Sequence, residues 1–231
     1  MLGIAAPASR TIPVPESIYT MIDMGVVSAV SQYAEEVLSK DGFRHVSAVV
    51  ANCKMLAAEI EGQSEEKSNI DLNALILAGY LHDISTATHG FQDHHIKSAE
   101  MAVEFLQELD VPAGLISKVE QAILIHANQL PAEQRESISL EGLILYDADK
   151  LGRLSGLAII TSLIELGSRY PNRPVTGEVL AAVLRHIEER FVELYQSLNT
   201  TPAREMAKTK FGYTLAFLDG VIEHLTDATP V

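Results

Sequence analysis

From residue 17 onward, apolar positions recur at spacings of three and four, the period of helices with one buried face. Val26, Val30, Tyr33, Ala34, Val37 and Leu38 mark a first helix, which "KDG" is expected to stop near Gly42. Val46, Val49, Val50, Cys53, Leu56 and Ile60 share one face of a second, and His45 borders that stripe near its first turn. "DLNALILAGYLHD" is apolar almost all round after Asp71, its predicted N-cap, and so reads as a buried central helix ending at His82 and Asp83. Ala99, Ala102, Phe105, Leu106 and Leu109 define the next, followed by Val119, Ala122 and Ile123 in line with His126. "LEGLILYDADKLG" predicts a further helix, and long ones are expected over 177–198 and 202–225. Loops at "QLPAEQRES" and "GSRYPNRPVTG" separate them. Pro7, Pro13 and Pro15 make 1–16 an extended N-terminal arm, and 17–231 is expected to form one all-α bundle, with motif residues over 45–149 and C-terminal helices over 154–226.

Composition agrees with that pattern. Apolar residues reach 47% of 231 positions while aromatics stay at 6% and Trp is absent, a profile that favours helices over strands. Seventeen basic against 31 acidic residues give a formal charge of −14, which repels a polyanion, so nucleic acid is not an expected partner. The single cysteine, Cys53, excludes an internal disulfide and fits a reducing compartment. The N-terminus lacks a basic n-region and no run of eighteen apolar residues exists, so a cytoplasmic protein without a signal peptide or membrane span is expected.

Against this apolar background stand His45, the His82-Asp83 pair, His95, His126 and the aspartates of "YDADK", each on or beside a helix face rich in aliphatic residues. A neutral polar group buried without a partner costs roughly 2–7 kcal/mol. One lone histidine would most simply be a hydrogen-bonded core residue, but a set drawn from several helices would be satisfied together by a shared metal ion.

The order His45, then His82-Asp83 at the end of an apolar helix, then "DADKL", resembles the H…HD…D signature of the HD-domain metal-dependent phosphohydrolases. The likeness runs from about Arg44 to Leu151 and includes "HIKSAEMA" and "AILIHA". It implies a helical bundle of the HD-domain type. It also implies that His45, His82, Asp83 and Asp149 ligate a first divalent metal, with His95 and His126 matching the added histidines of two-metal members. Periodicity instead puts Asp147 on the main apolar stripe. Residues two apart on a helix face about 200° apart, so one of the two aspartates is expected to ligate. The family pattern favours Asp149, leaving Asp147 as a supporting carboxylate or local cap. Cys53, His89 and His94 are expected to be structural, because the His94-His95 doublet needs only one ligand.

The resemblance implies hydrolysis of a phosphate ester of a nucleotide or other small phosphorylated metabolite by a metal-activated water. One or two ions would serve, with Mn, Fe, Co, Ni, Zn and Mg undistinguished by these ligands. Asp83 would take a proton, His126 would serve the leaving group, and Lys150 would complete the catalytic set. Arg44, Lys97 and Arg153 are the expected phosphate contacts, and Arg169 and Arg173 in the late loop could close over an anion. Two departures narrow the substrate. "HDIST" replaces the "HDIGK" of many signalling phosphodiesterases, and their Gly-Tyr-Pro motif is absent, which counts against cyclic dinucleotides. "HANQLP" differs from the "HTxG" of dinucleoside polyphosphate hydrolases. A metal- and nucleotide-binding regulatory protein without turnover, or a di-iron oxygenase on the same fold, are the alternatives. The arm and the late helices permit a homodimer.

Overall fold

Helix is the only regular structure among the described residues of the computed structural model, which are 24–63, 69–127, 138–153, 156–169 and 176–226. The order is α1 (Met24–Val37), α2 (Lys40–Gln63), α3 (Leu72–Leu81), α4 (Thr86–His89), α5 (His94–Glu108), α6 (Ala113–Ile125), α7 (Leu140–Arg153), α8 (Gly156–Arg169), α9 (Gly177–Ser197) and α10 (Thr201–Thr226). The N-terminal arm, the loop over 129–137 and Arg173 lie outside the described residues, as does the side chain of Arg153.

At the centre is α3, packed against α1, α2, α5, α6 and α7. Its sequence explains that position, since Leu72, Ala74, Leu75, Ile76, Leu77, Ala78, Gly79 and Leu81 are all buried. Each large aliphatic side chain removed from water contributes about 1.5–3 kcal/mol. Asp71 caps the helix as expected, its Oδ1 accepting from the backbone N–H groups of Asn73 and Ala74 at 3.2 Å. A Cβ at Gly79 would stand 2.8 Å from Val50 Cγ2, so this glycine lets α2 lie directly on α3.

Two boundaries differ from expectation. "KDG" opens α2 and does not close α1: α1 ends at Val37, and Ser39 Oγ accepts from the N–H of Gly42 at 3.1 Å. A serine acceptor just before the turn outweighs the helix-breaking tendency of glycine. The segment before Arg169 forms α8, which the periodicity did not resolve as a separate helix.

The α7 helix is enclosed by α2, α3, α6 and α10. Ile144, Leu145, Tyr146, Asp147, Ala148, Asp149, Lys150 and Leu151 are all buried, so no single stripe distinguishes the two aspartates. Buried Asn52 of α2 donates to the Ala148 carbonyl at 3.1 Å and fixes α7 against α2 between them. None of the described helices is long and apolar enough to cross a membrane.

Candidate metal centre

Three of the histidines are set by one local rule. His82 ends α3 and its Nδ1 meets the Gly79 carbonyl at 2.9 Å, and His126 ends α6 with Nδ1 on the Ile123 carbonyl. His94 begins α5 with Nδ1 on the Phe91 carbonyl at 2.8 Å. A carbonyl oxygen only accepts, so each Nδ1 carries a proton, and in the neutral ring the lone pair is then on Nε2. This is how metal-binding imidazoles are oriented.

Those Nε2 atoms converge on Asp83. Its Oδ1 lies 3.4 Å from His94 Nε2 and 3.6 Å from His126 Nε2, and its Oδ2 lies 3.6 Å from His82 Nε2 and 3.8 Å from His45 Nε2. The carboxylate therefore stands between two groups of imidazoles. His45 Nε2 also reaches Asp149 Oδ1 at 3.1 Å, while Lys150 Nζ holds Asp149 Oδ2 at 2.7 Å and sits 4.7 Å over the Tyr146 ring. Donor atoms of His45, His82 and Asp149 lie within 4.8 Å of one another, as do those of His82, Asp83 and His126. Either triplet suits a divalent ion, and mixed imidazole and carboxylate donors fit first-row transition metals. The buried His82 Nε2 and Asp83 Oδ1 have no hydrogen-bond partner, a deficit that bound cations would remove.

Burial depresses the His82 pKa to about 4, leaving it neutral and able to donate its lone pair at neutral pH. Burial alone would push Asp83 upward, but the His82 and His126 imidazoles outweigh it and hold the carboxyl well below the usual range. Asp147 is raised, chiefly by burial, against the hydrogen bonds that it accepts from Asn199 and Thr200.

His45, His82, Asp83, Asp149 and His126 come together, whereas Asp147 turns away to the residues just before α10 and accepts from Asn199 and Thr200, whose own Oγ1 accepts from the Ala203 N–H. The doublet is shared out differently from the sequence expectation: His94 is the member whose Nε2 faces Asp83. The His95 ring stands 5.8 Å from the His94 ring. Adjacent residues on a helix point about 100° apart. The phase here is set by Asp93, a non-glycine residue with φ of 54°, which no sequence motif announces. Ser85 and Ser98 fix the same corner, Ser85 Oγ donating to the His94 carbonyl and Ser98 Oγ to Ser85 Oγ, each at 2.9 Å. Of the expected phosphate contacts, Arg44 is exposed and paired with Asp41 at 3.0 Å, while Lys97 is half-buried one turn beyond His94. Arg169 is exposed at the end of α8. Cys53 is buried, and burial raises its thiol pKa strongly, as fits a core position. A cleft of about 330 Å³ opens onto His45 and Asp83, with Leu38, Gly42, Thr86 and Phe91 as its other walls.

Residues 42–154 match the family model of the HD domain. No curated relative matches the chain in sequence. Among solved structures, the Lin1889 protein of Listeria innocua superposes with a TM-score of 0.64 at 18% identity, over 90% of this chain and 100% of that one. An HD-superfamily hydrolase from Bacillus thuringiensis gives 0.64 at 19% identity, over 89% and 99%. Bacillus subtilis YpgQ gives 0.64 at 17% identity, over 87% and 95%. At such identities the superpositions establish the fold. The matched span identifies residues 42–154, which carry His45, His82, Asp83 and Asp149, as an HD domain, and the chain has the all-α HD-type fold.

Proposed function

We propose that the protein is a metal-dependent phosphohydrolase acting on a nucleotide or another small phosphorylated metabolite. The observation that carries this reading is the pair of buried, unpartnered atoms, His82 Nε2 and Asp83 Oδ1, with Asp83 itself in the wall of a cleft. Leaving such atoms unsatisfied costs about 1–3 kcal/mol each, so a fold that collects them has them ready for a ligand. His45, His82 and Asp149 would hold one divalent ion, and Asp83 with His126 and His94 would hold a second, with His95 beside them. Such ions lower the pKa of water and offset charge on phosphoryl oxygens.

The chain's own groups supply the rest. Asp83, held ionised, accepts a proton from the attacking water. His126 serves the leaving oxygen when no second ion occupies it. Lys150 fixes Asp149, and Lys97, one turn beyond His94, supports a phosphate contact there. YpgQ was solved with ADP, which supports a nucleotide among the ligands to test first.

Protein stripped of metal and reloaded in turn with manganese, iron, cobalt or nickel is expected to release phosphate from members of a broad phosphoester panel, and chelation is expected to stop it. Inertness with every ion across that panel would remove the reading.

A further inference from the structure

Phe91 is 73% exposed, yet it lines the same cleft as His45 and Asp83. Single exposed apolar side chains are ordinary on protein surfaces. This one is held in place by a built turn. Gly90 has φ of 72° and ψ of −166°, a region closed to side chains, and Asp93 is left-handed at φ of 54°. Between them, the Phe91 carbonyl accepts from His94 Nδ1 at 2.8 Å, and the two rings meet at 72° with centroids 6.1 Å apart. The residue that aims His94 at Asp83 is thus the residue that offers an aromatic face to the cleft.

We propose that Phe91 is a specificity-determining residue, stacking on the planar base of a nucleoside phosphate whose phosphate group lies at His45 and Asp83. The proposal rests on the phosphohydrolase reading for the position of the phosphate. A cleft of about 330 Å³ is at the small end of ligand sites and admits a ligand of nucleotide size in part. Its walls combine two chemistries, His45 and Asp83 with Leu38 and Phe91, which suits a molecule that carries both a charged group and a flat apolar one. The base of a nucleotide is uncharged, so charge attraction does not hold it, whereas stacking on an aromatic ring does. Base-aromatic stacking changes affinity by roughly 5- to 150-fold per contact.

The chain has no tryptophan, so F91W provides a single tryptophan, at the cleft, whose emission is separable from that of the tyrosines by excitation at their red edge. Adenosine mono-, di- and triphosphate are expected to quench F91W emission saturably, while ribose 5-phosphate, pyrophosphate and tripolyphosphate leave it unchanged. In turnover with the metal-loaded protein, F91A is expected to raise the KM for the best adenosine nucleotide roughly 5- to 150-fold more than that for ribose 5-phosphate. Quenching by nucleotides in a protein that hydrolyses nothing supports the stacking site and removes the phosphohydrolase reading. Nucleotide hydrolysis that persists without any quenching, or with equal losses on both substrates in F91A, overturns the role of Phe91 and leaves the phosphohydrolase reading standing.

Discussion

His45 Nε2 stands 3.1 Å from Asp149 Oδ1, so the first turns of α2 and the last turns of α7 meet through one imidazole and one carboxylate. Lys150 engages the other oxygen of Asp149 at 2.7 Å, which leaves Oδ1 turned toward His45 and His82. Asp149→Ala is therefore expected to lower bound metal by at least about a hundredfold in affinity, since even groups that only support ligands cost 10–100-fold. Metal content after gel filtration, with far-ultraviolet dichroism as the check on folding, measures it. A variant that retains a full complement would remove Asp149 from the site.

Asp147 should show the opposite pattern. Its two oxygens accept from the backbone N–H groups of Asn199 and Thr200 at 2.7 Å, from Thr200 Oγ1 at 2.7 Å and from Asn199 Nδ2 at 3.1 Å, at the start of α10. Asp147→Ala strands these donors and is expected to cost at least about 2 kcal/mol, while the metal stays bound. Urea unfolding and metal analysis on the same sample give both numbers. Lost metal with undiminished stability would reverse the roles of the two aspartates.

His94 and His95 are separable in the same way. Nε2 of His94 is 3.4 Å from Asp83 Oδ1, and its Nδ1 is fixed by a carbonyl. His94→Ala is expected to weaken the second of two metal equivalents at least tenfold in a titration, and His95→Ala to weaken it less. If His95→Ala has the larger effect, metal binding rotates the start of α5.

The positions most legible in the sequence are those set by a uniformly apolar helix. Asp71 as a cap, α3 as the buried centre and His82-Asp83 at its end all follow from an apolar run with a polar residue at each boundary. Asp147 against Asp149 was harder, because helical phase separates two faces only when one is wet, and α7 is buried over both. His94 and Phe91 were illegible for a different reason. Their directions depend on left-handed backbone at Gly90 and Asp93, and a short "HGFQD" run does not encode where that turn points.

Acid should loosen the cap of α3. Burial raises the Asp71 pKa, but hydrogen bonds from Lys118, Ala74 and Asn73 outweigh it, and the net shift is downward from 3.8. The folded state thus holds its proton less tightly than the unfolded one. The resulting stability is present above pH 4 and is lost as pH falls through 3.8 toward the lower folded value. Asp71→Asn keeps a capping oxygen but not the 2.7 Å ion pair with Lys118. The stability difference between wild type and D71N is expected to shrink between about pH 5 and pH 3, as followed by thermal melts. A difference that stays constant over that range would show that the carboxylate charge contributes nothing.

Gly79 couples packing to the centre. A methyl group there would come 2.8 Å from Val50 Cγ2, and Val50 is β-branched and so has little freedom to turn away on a helix. The Gly79 carbonyl also holds His82 Nδ1, and Val50 lies little more than one turn beyond His45, so α2 cannot move off α3 without separating His45 from His82. Overpacking costs about 1–3 kcal/mol, while alanine in a helix interior regains about 1 kcal/mol over glycine. Gly79→Ala is therefore expected to lose about 1 kcal/mol net and to retain metal less tightly. In a Val50→Ala background the obstructing methyl group is gone, and the same substitution should become neutral or stabilising by up to about 1 kcal/mol. Chemical denaturation of the four proteins in this cycle measures the coupling, and an equal effect of Gly79→Ala in both backgrounds would mean that the α2–α3 approach does not depend on this contact.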